Sequence, residues 1–484
     1  MTVSNDRFGR HHLGAFLASA LLVTSYNASP VLAQQTDSLA IFYMQSLLWE
    51  DCGRATCTRV TVPLDYAKPE GDTIALSVRR IGSPDLPPLV MNPGGPGSEG
   101  TQFAQGIARS LDPAVTAAFT PVGFDPRGTG DSAPVRCFTG RSANRWLRTD
   151  VTPDTMAEQV RYMTAAAKIS SACQRFSPTI VPHIGTENTV RDMDIIRGAL
   201  GSAKLNWLGF SYGTSLGTRY AELFPHNVGR MVLDGAVDPS LDAMELSRGQ
   251  SAGFQRAIRR FDRKYPGSIA HINTLLASLD SIPMKTDGLQ KLVQSEASTA
   301  IFLSMYDTSF WSPLHDALIA AKRGDGTELQ ELSYYANDQT GPTTFSSNSI
   351  SAFTSINCWD FPQTPARKGL ARKADRFAKK ASVPELAMAM SWGNAPCSTW
   401  FDHSLTTPAP ADTRTTAPIL IVGTAFDPAT PISWARSLKK QLPTSSLLTY
   451  VGDGHTAYLG GNECVDRVVD EFLLTGVPPT TKRC

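Results

Sequence analysis

The residue in this sequence most able to do chemistry is a serine near the middle of the chain. Ser211 stands at the centre of Gly209-Phe-Ser-Tyr-Gly213, which matches the pattern G-x-S-x-G. The apolar run Leu205–Phe210 before it is typical of a buried strand, and a segment compatible with a helix follows it. A sharp turn between two such elements lifts a serine above the edge of a sheet. We therefore predict that Ser211 is a nucleophile; the alternative is an ordinary glycine-rich turn with a capping serine.

A nucleophilic serine needs a base that takes its proton, and the base needs an acid that orients it. Around a turn of this kind, the acid and then a histidine follow the serine in the chain. The strand-like run Pro418–Val422 leads to Asp427 on a loop stiffened by prolines, and the run Ser446–Val451 leads to His455 on the next loop. Because parallel sheets gather such loops at one edge, we expect Asp427 and His455 to meet Ser211 there.

Two other carboxylates compete with Asp427 for the role of the acid. Asp234 ends the predicted strand Met231–Asp234 and could lie near the same edge. Asp453 is close to His455 in sequence, and we interpret it as a turn residue because a sequence neighbour rarely faces the same ring. We favour Asp427 because it follows the strand directly before the strand of the histidine. The remaining histidines follow no such strand and are interpreted as surface, core or leader residues.

A glycine- and proline-rich loop predicts the donors that acyl transfer needs for its developing oxyanion. The predicted strand Pro88–Asn92 leads into Pro93-Gly-Gly-Pro-Gly97. Glycines leave backbone N–H groups accessible, and the prolines fix the loop while offering no N–H of their own. We expect the oxyanion hole to consist of the N–H of Gly95, or of Gly94, and that of Tyr212.

Together these motifs resemble the secreted bacterial tripeptidyl aminopeptidase family, whose members have the α/β-hydrolase fold and are related to proline iminopeptidase. The matching segments follow one another in the order of the family: Cys52–Cys57, Val62–Tyr66, Asn92–Gly97, Phe124–Ser132, Gly209–Gly213, Leu233–Gly235, Cys358–Asp360, Gly423–Pro431 and Gly454-His455. The resemblance implies a triad of Ser211, Asp427 and His455, and the release of short peptides from free N-termini. The family also contains carboxylesterases, so the substrate is expected to be a peptide or an ester.

An aminopeptidase also needs carboxylates that bind the α-ammonium group of its substrate. The candidates in this sequence are Asp360, Glu245, Asp242 and Glu99. Asp360 is favoured because a disulfide at the nearby Cys358 would hold it in place. Glu99 stands where the family resemblance predicts a small residue after the glycine turn.

The first residues of the chain have the pattern of a secretory signal peptide. Arg7 and Arg10 precede the apolar stretch Leu13–Val23, and small residues lead up to Ala33, after which we expect cleavage. The apolar stretch is short for a membrane anchor, so we expect a secreted or periplasmic protein. Lys and Arg number 45 against 44 Asp and Glu, a balance that indicates no nucleic-acid or anionic-membrane partner.

The eight cysteines all follow the predicted signal peptide, and an even number in an exported chain predicts disulfides. Sequence alone leaves the connectivity open, and pairing of neighbours is the simplest choice: Cys52–Cys57, Cys137–Cys173, Cys358–Cys397 and Cys464–Cys484. The sequence has no C-x-x-C or H-E-x-x-H motif and no cysteine at ligand spacing from a histidine. We therefore expect neither a metal nor another cofactor.

The positions of these motifs predict one hydrolase domain that is interrupted by a lid. After the signal peptide, residues 1–33, the first part of the core covers 34–238 and its last part 413–484. The fold class is α/β, with a mostly parallel sheet. Residues 239–412 are predicted to form a helical insertion with these helices: Leu241–Tyr265, His271–Leu279, Thr299–Arg323, Thr327–Ala336 and Ala366–Lys380.

Overall fold

The centre of the molecule is a sheet of nine strands. The computed structural model describes residues 38–361, 364–402 and 407–484, so the predicted signal peptide lies outside the described residues. Within these ranges, none of the helices has both the length and the hydropathy of a membrane span.

The strands of the central sheet are arranged in the order β1-β2-β3-β5-β4-β6-β7-β10-β11. Their bounds are β1 Glu50–Asp51, β2 Thr56–Pro63, β3 Thr73–Arg80, β4 Pro88–Asn92, β5 Thr120–Phe124, β6 Leu205–Phe210, β7 Val228–Asp234, β10 Ile419–Phe426 and β11 Ser445–Asp453. Neighbours from β5 to β11 pair in parallel, whereas β1, β2 and β3 extend the sheet with antiparallel pairs.

Helices cover both faces of the sheet, which explains why its central strands read as unbroken apolar runs. Successive side chains of a strand point to opposite faces. In β4, Val90 therefore joins one buried hydrophobic cluster, while Leu89 and Met91 join the other. The mostly parallel sheet between two helical layers confirms the predicted α/β-hydrolase fold.

The helices are numbered in chain order. Their bounds are α1 Gly100–Ile107, α2 Pro113–Ala118, α3 Gly140–Leu147, α4 Met156–Phe176, α5 Thr186–Ala199, α6 Tyr212–Leu223, α7 Ala243–Lys264, α8 Ser268–Leu279, α9 Gln294–Tyr306, α10 Trp311–Lys322, α11 Thr327–Ala336, α12 Ser349–Asp360, α13 Arg367–Ala378, α14 Pro384–Trp392, α15 Ile432–Gln441 and α16 Glu463–Thr475.

Helices α7 to α14 follow β7 and precede β10 in the chain, together with the small hairpin of β8 (Gln339–Gly341) and β9 (Thr344–Phe345), and this segment is called the lid below. The lid has a hydrophobic core of its own, which includes Phe254, Phe261 and Trp311. Helix α4 precedes the lid in sequence, yet its Tyr162 packs in one cluster with residues of α7, α13 and α14. The covering of the sheet edge is therefore built from two separate parts of the chain.

The structure corrects one predicted helix of the lid. The predicted helix Thr299–Arg323 is two helices, α9 and α10, because the chain becomes extended at Asp307, whose carboxylate accepts the N–H of Ser309. Pro313 lies in the first turn of α10, where its missing N–H costs nothing; within one continuous helix it would break the hydrogen-bond ladder.

The structure differs from the sequence-based prediction in two further respects. Helices α12 and α14 were not predicted, although α12 ends at Asp360. Asp453 is not a turn residue: it ends β11, and its carboxylate forms an ion pair with Arg260 of the lid.

All four predicted disulfides are present, so the pairing of sequence neighbours is confirmed. The bond between Cys358 and Cys397 joins α12 to the segment after α14. It fixes the end of α12 close to Asp360, as the sequence predicted.

Candidate active site

Ser211 lies in the turn between β6 and α6. Its φ of +53° is strained for a residue other than glycine, and its N–H donates a hydrogen bond of 2.8 Å to the carbonyl of Asp234. Strand and helix are so close that a Cβ on Gly209 would lie 2.4 Å from the carbonyl oxygen of Gly213. Gly209 is thus required by the close approach of β6 and α6, whereas Gly213 is required by the approach of α6 to β4, since its Cβ would lie 2.9 Å from the carbonyl oxygen of Asn92.

Asp427 and His455 meet at the carboxyl ends of β10 and β11. The Oδ2 atom of the fully buried Asp427 lies 2.9 Å from Nδ1 of His455. The carboxylate is held by the N–H groups of Ala429 and Thr430, each 2.8 Å from Oδ1. The backbone N–H of His455 donates to the carbonyl of Tyr306, the last residue of α9, so the lid contacts this loop directly.

The rival acid, Asp234, contacts the backbone after His455 and not the imidazole ring. Its Oδ2 atom accepts the N–H groups of Ala457 at 2.9 Å and Tyr458 at 2.8 Å. Burial raises the pKa of Asp234 to about 6, although these two hydrogen bonds oppose the shift. Asp234 therefore fixes the loop after His455, while Asp427 contacts the imidazole.

The turn of Ser211 and the loop of His455 approach each other at the end of β7. Ser211 binds the carbonyl of Asp234, and a Cβ on the next residue, Gly235, would lie 3.2 Å from Cε1 of His455. Nε2 of His455 has no hydrogen-bond partner among the described residues, Ser211 included. Burial lowers the pKa of His455, but the charge and the hydrogen bond of Asp427, together with the charge of Asp234, outweigh it, so the net shift is upward. Contacts between nucleophile and base commonly shorten only when substrate binds.

The glycine-rich loop packs directly on the turn of Ser211. A Cβ on Gly94 would lie 2.8 Å from Cβ of Ser211 and 3.1 Å from the nitrogen of Tyr212. The N–H of Gly94 is already used, because it donates to Oδ1 of Asn92 at 2.9 Å. Throughout the described ranges, the N–H groups of Gly95 and Tyr212 have no acceptor. Of the two glycines considered, Gly95 is therefore the one whose N–H is available to an oxyanion.

Two adjoining cavities lie between the sheet edge and the lid. The inner cavity has a volume of about 320 Å³ and is lined by Ser211, Tyr212, Gly95 and Asp360, among others. The lid cavity has a volume of about 700 Å³. The two share the following lining residues: Gly95, Pro96, Leu246, Gln250, Asn357 and Phe361. An extended substrate could thus occupy both cavities while it contacts Ser211.

Comparison with known proteins identifies the family. Residues 383–484 match the family model described as TAP-like protein. The tripeptidyl aminopeptidase of Streptomyces coelicolor is 32% identical over 457 residues, which cover 88% of this chain and 84% of that protein. The chain belongs to the tripeptidyl aminopeptidase family of α/β-hydrolases. The resemblance predicted from the motifs is thereby confirmed.

Two relatives from Mycobacterium tuberculosis carry different names. Serine protease Hip1 is 33% identical over 461 residues, 89% of this chain and 88% of that protein. Carboxylesterase B is 34% identical over 453 residues, 89% of this chain and 86% of that protein. This member of the family is therefore a serine hydrolase, and its relatives include proteins named as peptidases and as an esterase.

The structure brings one of the four candidate ammonium-binding carboxylates to the cavity of Ser211. Asp360 lines the inner cavity, and its Oδ2 accepts the hydroxyl of Thr186 at 2.7 Å. Burial raises the pKa of Asp360 to about 7. Within the described part of the chain, Asp360 forms no ion pair, whereas Glu187 and Glu222 in the same cavity are paired with Arg219.

The other three candidates lie elsewhere. Glu245 and Asp242 form a capping box at the start of α7, in which each carboxylate accepts the N–H of the other residue. Glu99 precedes α1, where burial and the neighbouring Asp125 and Asp131 raise its pKa. None of the three lines the inner cavity or the lid cavity. The capping pattern D-x-x-E at residues 242–245 was readable in the sequence.

Sequence analysis missed a hydroxyl beside the acid and the histidine. Oγ1 of Thr430 donates to Oδ2 of Asp427 at 2.9 Å and lies 3.3 Å from Nδ1 of His455. Its own N–H is one of the donors to Asp427. A threonine three residues after an aspartate on a loop is a common turn-forming pattern, and that signal was available in the sequence.

Replacing Thr430 with valine is expected to lower kcat/KM by about tenfold. Valine keeps the shape of the side chain but removes a hydrogen bond to a charged carboxylate, which contributes about 1.5 kcal/mol or more. Steady-state kinetics at constant pH would measure the change, with Thr430→Ser as the control that restores the hydroxyl. Full activity in the valine variant would mean that the hydroxyl does not position the acid and the histidine.

Proposed function

We propose that this hydrolase is an exported serine exopeptidase that releases short peptides, tripeptides in particular, from substrates with a free N-terminus. The observation that carries the proposal is the position of Asp360. It is a half-buried carboxylate without a cationic partner in the described chain, and it lines the same cavity as Ser211. A substrate ammonium group is the partner that such a carboxylate would bind most strongly.

In the proposed mechanism, Oγ of Ser211 attacks the carbonyl carbon of the scissile peptide bond. Nε2 of His455 takes the hydroxyl proton, while Asp427 holds the opposite ring nitrogen, Nδ1, in its protonated form. The N–H groups of Gly95 and Tyr212 stabilise the oxyanion. His455 then passes the proton to the leaving amine.

The second half of the proposed reaction releases the peptide. A water molecule replaces the leaving amine, and His455 takes a proton from it as the water attacks the acyl-enzyme. His455 then returns this proton to Oγ of Ser211 as the acyl bond breaks. The peptide leaves with a free C-terminal carboxylate, and the hydroxyl of Ser211 is restored. Under this proposal, the span from Asp360 to Ser211 sets the length of the released peptide.

The fixed position of Asp360 also supports the proposal. The hydroxyl of Thr186 donates to Asp360 at 2.7 Å and lies 2.7 Å from the hydroxyl of Tyr212. The backbone N–H of Tyr212 is the proposed oxyanion donor. The carboxylate and the oxyanion hole are thus joined by two hydrogen bonds, and a bound ammonium group would be held at a constant distance from the reacting carbonyl.

The direct test is the set of products from a library of peptides with unblocked N-termini, identified by mass spectrometry. We expect the enzyme to release fragments of one fixed short length from the N-terminus of each peptide. If the family resemblance extends to the length of the product, these fragments contain three residues. Fragments of random length, or cleavage within the chain, would contradict an exopeptidase.

Replacing Asp360 with asparagine is expected to lower kcat/KM at least tenfold for a free tripeptide anilide. A carboxylate–ammonium pair contributes about 1.5–3 kcal/mol, and about 1.4 kcal/mol corresponds to a factor of ten. The same variant should leave kcat/KM unchanged for the acetylated tripeptide, which has no charge for Asp360 to bind. Equal preference for free and acetylated substrates in the wild-type enzyme would exclude the ammonium site.

The preference for the free substrate is also expected to depend on pH. With a pKa raised to about 7, Asp360 is ionised above that pH and loses its charge as the pH falls. The ratio of kcat/KM for free over acetylated tripeptide should therefore rise through pH 7, and fall above about pH 8 as the substrate amine loses its proton. Both substrates require the same state of His455, so the ratio isolates Asp360. A ratio that is flat from pH 5 to 8 would contradict this role.

A carboxylesterase is the alternative, and the similarity to carboxylesterase B of Mycobacterium tuberculosis favours it. It would use the same serine, acid and histidine without an ammonium site. A nitrophenyl acyl ester, compared with the free tripeptide anilide, separates the two functions. A much higher kcat/KM for the ester, together with no effect of Asp360→Asn, would support the esterase.

The proposed location is outside the cytoplasm, in the medium or the periplasm. The signal-like pattern of residues 1–33 and the four disulfides support this location, because disulfides persist in oxidising compartments. N-terminal sequencing of the protein recovered from culture fractions would test both the location and the cleavage after Ala33.

A further inference from the structure

A groove between α7 and the segment that contains α13 is lined by cationic side chains. It has a volume of about 540 Å³ and shares no lining residue with the inner cavity or the lid cavity. One wall is α7, which contributes Arg248, Arg256 and Arg259. This groove is therefore a separate feature from the candidate active site.

The opposite wall is formed by α13 and the residues that follow it. Its cations are Lys373, Arg376, Lys379 and Lys380. Among the residues that the structure describes, no carboxylate lines the groove, and Asp375, the one acid of α13, is exposed and is not part of the lining. Within the described ranges, none of the seven cations forms an ion pair. The groove's cations are thus not neutralised by ion pairs with the described carboxylates.

Hydrogen bonds hold the two walls together. Oε1 of Gln255, on α7, accepts the N–H groups of Ser382 at 2.7 Å and Val383 at 3.0 Å. Nε2 of Gln255 donates to the carbonyl of Val383 at 3.1 Å, and Arg259 donates to the hydroxyl of Ser382, also at 3.1 Å. Because the walls are fixed in this way, the backbone of both walls is in place without a ligand, and only the cationic side chains have to be ordered on binding.

The cations also repel one another. Burial lowers the pKa of Arg256, and the repulsion of Arg259 lowers it further, only partly offset by Asp427. Like charges within a Debye length, about 10 Å at 0.1 M salt, raise the free energy of the folded state. An anion in the groove would remove this repulsion, so its binding should stabilise the protein.

We propose that this groove is a binding site for a small anion that carries several phosphate groups. The volume is that of a small-molecule site rather than of a flat surface for a polymer. The guanidinium group of arginine matches two phosphate oxygens at once, and four of the seven cations are arginines. A single carboxylate or chloride ion would leave most of the seven charges unpaired, which favours a ligand with more than one phosphate.

The phosphate groups could belong to a free polyphosphate or to the headgroup of an anionic lipid, and the test separates these sources. The mature protein is titrated with sodium tripolyphosphate in a calorimeter, and its melting temperature is followed in parallel. In a second arm, the protein is sedimented with phosphatidylcholine vesicles with and without phosphatidylglycerol. Sodium sulfate at equal ionic strength is the control for general screening.

We expect saturable binding of tripolyphosphate that weakens at least tenfold in the double variant Arg259→Ala/Arg376→Ala. The matched control is Arg372→Ala, which removes an exposed cation of α13 that does not line the groove. The affinity of this variant for tripolyphosphate should stay within twofold of that of the wild type. A second double variant, Lys379→Glu/Lys380→Glu, should show the same loss, which separates a loss of charge from a local change of fold. All variants should keep the wild-type kcat/KM in the absence of the anion, so the result does not depend on the proposed peptidase function.

Binding to vesicles that require phosphatidylglycerol, lost in the same variants, would support the same phosphate chemistry and assign it to a lipid headgroup. Two outcomes would overturn the proposal. One is the absence of saturable binding to both tripolyphosphate and the anionic vesicles. The other is binding that the two double variants leave unchanged.

Discussion

Replacement of Ser211 with alanine is expected to lower kcat by about a millionfold, since removal of a triad nucleophile has an effect of that order. Alanine keeps the Cβ atom that packs against Gly94, and it leaves intact the backbone hydrogen bond to Asp234. The variant should therefore fold normally and retain the melting temperature of the wild type. The residual rate would come from substrate binding and the oxyanion hole.

Kinetics with a free tripeptide anilide, together with a thermal melt of each variant, would test the assignment. Ser215→Ala is the matched control, because Ser215 lies on α6 and also lines the inner cavity. It should retain activity close to that of the wild type. If Ser211→Ala kept a tenth of the wild-type rate, the nucleophile would have to be another residue.

Replacement of Asp427 with asparagine is expected to lower kcat by about ten-thousandfold. Oδ1 of Asp427 accepts two backbone N–H groups, so the asparagine oxygen would remain there and its amide would face Nδ1 of His455. Nδ1 would then have to accept a hydrogen bond, and the ring proton would move to Nε2. A protonated Nε2 cannot take the proton of Ser211.

Asp234→Asn is the matched comparison and should have a much smaller effect on kcat. Only Oδ2 of Asp234 accepts hydrogen bonds, from Ala457 and Tyr458, and the carbonyl oxygen of asparagine can accept both. If the asparagine at 234 reduced kcat more than the asparagine at 427, the two acids would have to exchange roles. Melting temperatures of both variants are needed, because each aspartate is buried.

Much of the fold followed from local patterns in the sequence. The predicted bounds of β4, β6 and α11 agree with the structure, because apolar runs and helical periodicity end there at glycine, proline or polar residues. Family membership, the hydrolase fold and the disulfide pairs were also predicted and are confirmed. The break between α9 and α10 was not predicted, since the apolar pattern continues across it.

The candidate site was predictable to the extent that its residues lie next to recognisable strands. Asp427 and His455 could be chosen because each follows a strand of the parallel sheet. No comparable rule applied to the proposed ammonium site, for which the sequence offered four acids and favoured Asp360 only through its nearness to Cys358. Their surroundings separate them, since Asp360 lines the inner cavity whereas Glu245 caps a helix.

The sequence by itself determined the order of the candidate-site motifs and the class of fold, because these depend on neighbours in the chain. It left the connectivity of the cysteines open, and the structure decided for the pairing of sequence neighbours. Only the tertiary structure decided which of the four candidate carboxylates lines the inner cavity, which glycine N–H is free, and that Thr430 and Tyr306 hold the acid and the histidine. The same holds for the cationic groove: the nearly balanced total charge conceals it, because more than a hundred residues separate Arg256 from Arg376. Burial, hydrogen-bond partners and local charge are properties of residues that folding brings together, so no local pattern encodes them.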